Sequence, residues 1–318
     1  MEIPPFIPLF RNSHLATIAA NFWQRPGLEL PATPTYFETE PGVRVMAMTQ
    51  SPAAVKGEII MLHGLEGSHD SGYLRSLAHA ALAQGYRTHR LNMRSCGGTE
   101  ALSETLYHAG LTSDLRAILQ GREGPVYLVG FSLGGNVVLK LLGELGATSL
   151  VAGAVAVSTP LDLEACCRRM MAPSNRLYES RFVARLKERY RARHQMHPEH
   201  YRRHHDRLAV LEKVRTVLDF DDQITAPYFG FGTAVNYYAT QSSGQFLSQI
   251  RVPTLIVQAK DDPMIPFSVF ERHAWSSYPS VRLLAPDHGG HVGFVAKANP
   301  RFWVDQAILA FFSQLQNK

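Results

Sequence analysis

The sequence predicts an α/β protein, a mostly parallel sheet with helices on both faces and a helical cap inserted late in the chain. Short apolar runs bounded by Gly, Pro and Asp alternate with stretches the length of crossover helices, which is the pattern of βαβ units. The alternation stops after Ser158-Thr159-Pro160 and resumes only at Pro253. The 318 residues, 45% hydrophobic and 19% charged, suffice to bury a large sheet and exclude a disordered or collagen-like chain.

In chain order, Glu58 to Leu62, Arg87 to Asn92, Val126 to Gly130, Gly153 to Ser158, Thr254 to Ala259 and Val281 to Ala285 read as strands. Val43 to Thr49 reads as an added antiparallel edge. Between them, Tyr73 to Gln84, Leu111 to Gln120 and Leu133 to Leu145 read as helices, the last with Val137, Val138, Leu141, Leu142 and Leu145 on one face. The interruption, residues 161–250, carries apolar residues at helical spacing, such as Phe182, Val183, Leu186 and Tyr190, and reads as a cap within one domain of residues 1–318. A final helix begins near Phe302 and presents Trp303, Ala307, Ala310 and Phe311 to the sheet.

Composition narrows the function classes. Three cysteines, Cys96, Cys166 and Cys167, give neither a disulfide framework nor a four-thiolate zinc site. The start, Met1-Glu2-Ile3-Pro4-Pro5, lacks the basic and apolar runs of a signal peptide, and no stretch has the roughly 18 apolar residues of a membrane span. The expectation is a soluble, cytoplasmic protein. The net charge of +5 arises locally: Arg168 to Arg215 holds 14 Lys or Arg against 5 Asp or Glu, and the remainder 18 against 22. No nucleic-acid motif accompanies this basic stretch, so nucleic acid is not an expected partner. His194, His197, His200, His204 and His205 lie in it, but Pro198 interrupts them and no ligand set is completed, so they read as a solvated basic face and no metal is expected. Gly230-Phe231-Gly232 lacks the third glycine and preceding strand of a dinucleotide site, and no cofactor is expected.

The chemistry is carried by Gly130-Phe131-Ser132-Leu133-Gly134, set directly after a strand and before an amphipathic helix. That setting forces a serine into a sharp, exposed turn, with small flanking residues letting the backbones approach. A serine hydroxyl needs a base, and the base an orienting carboxylate, which in this arrangement follow in the order Ser, Asp or Glu, His. The strand at Thr254 runs into Asp261-Asp262-Pro263, and the next into Asp287-His288-Gly289-Gly290-His291. Asp262, followed by Pro263 and apolar Ile265, is preferred over Asp261, which could equally cap the next helix. His291 is preferred over His288, because Gly289 and Gly290 allow a loop to carry it over the sheet. Two backbone N–H groups should hold an oxyanion, Leu133 after the serine and Leu65 in His63-Gly64-Leu65-Glu66-Gly67-Ser68 after an early strand.

Together with Arg11-Asn12-Ser13-His14-Leu15, Tyr107-His108-Ala109-Gly110, Asp219-Phe220-Asp221-Asp222 and Val292-Gly293-Phe294, these motifs resemble the YheT-like branch of the α/β-hydrolases over nearly the whole chain. The resemblance implies the same triad, Ser132, Asp262 and His291. The chain departs from the family's usual pattern at Ala16, where Gln is common, and at Ser95, where Gly is common.

The function expected is that of a serine hydrolase cleaving short- to medium-chain or lipid-like carboxylic esters through an acyl-enzyme, without a cofactor. An acyltransferase that passes the acyl group to an alcohol is the alternative, and a non-catalytic ligand-binding homologue the alternative of another class. The basic face of the cap is expected to be a solvated surface, or else to attract an anionic substrate.

Overall fold

The computed structural model describes residues 2–23, 25, 31–203 and 206–316. Eight strands form one sheet: β1 (Thr33–Glu40), β2 (Val43–Gln50), β3 (Gly57–Leu62), β4 (Tyr86–Leu91), β5 (Val126–Phe131), β6 (Val151–Val157), β7 (Thr254–Val257) and β8 (Val281–Leu284), in the order β1-β2-β4-β3-β5-β6-β7-β8. The strands from β4 to β8 pair in parallel, whereas β1 with β2 and β2 with β4 are antiparallel.

The central parallel strands β3, β5, β6 and β7 are buried on both faces and so are mostly apolar at successive positions rather than at alternate ones. In β3, Ile60 and Leu62 join the cluster under helices α3 (Ser113–Leu119) and α4 (Leu133–Leu145), while Ile59 and Met61 join the opposite cluster. That second cluster packs against α2 (Gly72–Ala83) and the C-terminal helix Trp303–Gln316 through Leu74, Leu77, Ile308 and Phe312. Val138, Leu141 and Leu142 of α4 are fully buried, each worth roughly 1.5–3 kcal/mol of burial.

The expected antiparallel edge at Val43 to Thr49 is corrected: β2 is antiparallel but internal, and β1 is the edge. The sequence of β1, TPTYFETE, is partly exposed along its length, so its apolar signal is too sparse to mark a strand. Helix α1 (Ser13–Phe22), capped by Asn12 accepting from the Leu15 N–H, was likewise not anticipated.

Between β6 and β7 the described chain is helical, beginning with α5 (Leu163–Met170) and α6 (Arg176–Met196). This inserted segment has its own apolar clusters, one around Val183, Leu186, Tyr190, Tyr201 and Phe220 and another around Tyr237 and Tyr238. Its basicity is partly internal. Arg193 is fully buried and donates to the Tyr201 hydroxyl at 3.0 Å and the Ser103 carbonyl at 2.9 Å. His194 pairs with Asp206, His197 with the Glu100 carbonyl and His200 with the Tyr228 hydroxyl, while His204 and His205 lie outside the described residues. Among the described residues no three metal-ligating side chains gather, and no helix is long and apolar enough to cross a membrane.

Candidate active site

Ser132 sits on the turn between β5 and α4 with φ 52° and ψ −119°, a conformation that costs a non-glycine residue roughly 1–3 kcal/mol. The turn is tight enough that a Cβ on Gly130 would run into the Gly134 carbonyl oxygen, and one on Gly134 would lie 2.6 Å from that of His63. Glycine at both positions is therefore a packing requirement. The Ser132 N–H donates to the Val157 carbonyl at 2.8 Å, tying the turn to β6.

The turns after β7 and β8 meet this serine. His291 Nε2 lies 3.1 Å from Ser132 Oγ, and His291 Nδ1 lies 2.9 Å from Asp262 Oδ2. Asp262 is buried and fixed from three sides: its Oδ1 accepts from the Met264 and Ile265 N–H groups, and its Oδ2 accepts from Gln258 Nε2. Asp261 points elsewhere. Its carboxylate accepts from the Gly290 N–H at 2.9 Å and faces His288 Nδ1 at 3.2 Å, so Asp261 and His288 together hold the loop that carries His291.

Two further contacts position that loop, and neither was read from the sequence. The His291 N–H donates to Thr17 Oγ1 on α1, and the Val292 N–H donates to Ser158 Oγ at the end of β6. The only advance signal for Thr17 was its place beside the Arg11-Asn12-Ser13-His14-Leu15 motif. The inserted segment grips the acid turn as well. Asn175, fully buried, donates to the Pro263 carbonyl at 2.7 Å, and Arg169 Nε donates to the same oxygen at 3.1 Å.

The loop after β3 closes over the serine, and a Cβ on Gly64 would lie 3.0 Å from that of Ser132. Within this loop the Gly64 N–H donates to Tyr73, that of Glu66 to Tyr107 and that of Gly67 to the Gly64 carbonyl, which singles out the Leu65 N–H between them. Leu133 is the first residue of α4, where an N–H has no partner inside the helix. Glu66 is held by Arg189 of α6 at 2.9 Å and by the Tyr107 hydroxyl, and Arg189 donates onward to the Ser95 carbonyl. Burial pushes the His63 imidazole down to about 4, so this ring is a neutral strut, accepting from the Met93 N–H while its Nδ1–H donates to the Gly64 carbonyl.

Ser132 and His291 open into a cavity of about 1040 Å³, part of it open to solvent. Leu65, Leu133, Met170, Phe182, Leu186 and Phe220 give its wall an apolar character. Of the four cap residues singled out by spacing, Phe182, Leu186 and Tyr190 line it, whereas Val183 is buried in the segment's own cluster. Cys166 and Cys167 also line it, but burial raises both thiols, leaving them protonated and poor nucleophiles.

A serine on the turn after β5, with histidine and aspartate on the turns after β8 and β7 of a mostly parallel sheet, defines the α/β-hydrolase class. The profile of the alpha/beta hydrolase fold family matches residues 58–298, and the chain belongs to that family. Within it the chain falls in the YheT-like branch, being 34% identical to YheT of Escherichia coli strain K12 over 317 residues, 95% of this chain and 91% of that one. It is 28% identical to the medium-chain fatty acid ethyl ester synthase/esterase 2 of Saccharomyces cerevisiae, over 80% of this chain and 62% of the yeast protein. The fold superposes on the esterase Pf2001 of Pyrococcus furiosus with a TM-score of 0.58 at 15% identity, covering 92% of this chain and 99% of that one.

Proposed function

We propose that the protein is a serine hydrolase that cleaves carboxylic esters of short- to medium-chain or lipid-like acyl groups. The observation that carries this reading is the unbroken hydrogen-bonded line from Ser132 through His291 to Asp262, opening into an apolar cavity. The name of the yeast relative, a synthase/esterase of medium-chain fatty acid ethyl esters, agrees with it.

In this mechanism Ser132 Oγ attacks the ester carbonyl carbon while His291 Nε2 takes its proton. Asp262 holds the imidazole in the required tautomer and stabilises the imidazolium. The N–H groups of Leu65 and Leu133 stabilise the oxyanion, where preorganised donors act most strongly. His291 then protonates the leaving alcohol, and water cleaves the acyl-enzyme by the same steps in reverse. Residues 161–250 act as a cap on a single hydrolase domain, with Phe182, Leu186 and Tyr190 contacting the acyl chain.

A fluorophosphonate probe should label Ser132, and Ser132→Ala should lose both labelling and ester turnover; an Ala variant labelled as well as the parent sinks the assignment. A panel of esters of graded acyl length, run with and without added ethanol, measures hydrolysis against acyl transfer, the second activity in the yeast relative's name. An inert panel would favour a non-catalytic binding role.

A further inference from the structure

The cavity wall contains one acid that the proposed mechanism does not use. Of the motif Asp219-Phe220-Asp221-Asp222, Asp219 closes a capping box with Thr216 and Asp222 accepts from the Ala234 N–H. Asp221 does neither. It begins a π-helical turn, Asp221–Thr225, and the wide turn brings Phe220, Asp221 and Thr225 all onto the cavity that holds Ser132.

A directed chain of donors ends on this carboxylate. The Cys167 thiol donates to the Tyr238 hydroxyl at 3.1 Å, and that hydroxyl donates to Asp221 Oδ2 at 2.8 Å. Cys167 and Tyr238 line the same cavity. Among the described residues no Lys, Arg or His pairs with Asp221; the groups acting on it are Tyr238 and Thr225. Protein surrounds the residue, yet it keeps accessible surface, as expected of a side chain open to the cavity. A carboxylate without a counter-charge in an apolar enclosure is expensive, and a ligand that brings it a donor relieves that cost.

We propose that Asp221, braced by Tyr238, is a recognition site for esters that carry a free hydroxyl group, accepting a hydrogen bond from that hydroxyl while the ester reaches Ser132. This rests on the reading of the cavity as the substrate site. The charges around the cavity select among donors. An anionic group is repelled by the carboxylate itself. A cationic one would have to shed its hydration to enter a cavity walled largely by apolar side chains, where the Arg189 charge is already balanced by Glu66. An ester with an alkyl alcohol leaves the carboxylate with no new partner. A neutral hydroxyl satisfies it without adding charge.

The test separates recognition from turnover. Binding of two non-hydrolysable ethers, 1-O-octylglycerol and octyl propyl ether, is measured on Ser132→Ala protein by titration calorimetry, with and without Asp221→Leu. Turnover of 1-monooctanoylglycerol and propyl octanoate is measured on the protein with Ser132 intact. The expected result is a preference for the glyceryl compound in both pairs, with Asp221→Leu lowering the preference ratio about tenfold or more, as for a lost hydrogen bond to a charged group. Tyr238→Phe, which removes one hydroxyl only, should lower the ratio severalfold, and it serves as the second variant should Asp221→Leu fail to fold. Equal binding of the two ethers, or a ratio unmoved by both substitutions, overturns the proposal even if both esters are cleaved. Failure to cleave either ester while the glyceryl ether keeps its Asp221-dependent advantage overturns the hydrolase reading and supports the recognition site.

Discussion

The sheet and the inserted segment are built on different logics. In the sheet, the site-bearing residues are fixed by backbone: Ser132 at φ 52° on a glycine-flanked turn, Asp262 caught by two consecutive N–H groups, His291 on a loop anchored through main-chain donors. In the inserted segment, the residues that reach the cavity are fixed by side chains meeting side chains, as in Arg189 with Glu66 and Tyr238 with Asp221. Backbone turns demand particular residue types at fixed spacing, whereas side-chain pairs between distant elements can be formed in many ways. The first region therefore leaves a motif after its strands, whereas in the second, apart from Asp219-Phe220-Asp221-Asp222, the pairs that face the cavity leave none.

The largest effect should fall on the sheet. Asp262→Asn should lower kcat by about four orders of magnitude because the histidine loses its tautomer, while Asp261→Asn, which loosens only the loop, should stay within about tenfold. Steady-state kinetics on a soluble ester decide it, and the opposite ranking would exchange the two acids.

Arg189→Met tests whether the inserted segment is more than a wall. Glu66, almost wholly inaccessible, would lose its cation, and breaking such a buried pair costs about 3–5 kcal/mol. Urea denaturation at neutral pH should show this loss. Because Glu66 follows Leu65, kcat on a small acetate ester should fall as well; an unchanged kcat would confine the segment to substrate fit.

Asp221→Asn probes the price of the unpaired acid in the cavity. Burial raises the Asp221 carboxyl to about 6, so the folded state holds its proton more tightly than the unfolded chain does. The resulting penalty is absent below the ordinary aspartate range, grows as pH rises to about 6 and is complete above it. Asp221→Asn should therefore gain up to about 3 kcal/mol over the parent at pH 8 and nothing at pH 3.5. Denaturation midpoints at the two pH values measure it, and an equal effect at both would remove the titration from the account.

The smallest effect sits where the regions touch. Ser95, at φ 62° with a buried hydroxyl that has no partner among the described residues, accepts Arg189 through its carbonyl. Ser95→Gly should relieve the left-handed backbone and raise stability by about 1 kcal/mol with kcat unaltered. A loss of stability would mean that the hydroxyl is used.

What the sequence made legible follows the same division. Strands β3, β5, β6 and β7 stood out because burial on both faces gives nearly unbroken apolar runs, and Ser132, Asp262 and His291 because each lies on a turn that follows a strand. Edge strand β1 did not, since Pro, Thr and Glu dilute its apolar signal and none of its residues is fully buried. Thr17 could not be linked to His291 from sequence, being 274 residues away in the chain, nor Arg189 to Glu66 at a separation of 123. The side on which Phe182 but not Val183 faces the cavity is set by packing against Leu106 and Phe220, which helical spacing alone does not determine.

The grip of Asn175 and Arg169 on the Pro263 carbonyl bears on protein engineering. Exchanging residues 163–249 for the corresponding piece of a homologue is an obvious route to new substrate range, but the segment is not an interchangeable module. A graft without donors at those two positions would release the turn on which Asp262 rides, and one without Arg189 would strand Glu66 beside Leu65. A chimera that retains these three residues keeps the joints between the parts, and its designers are then free to vary the cavity-facing positions between them.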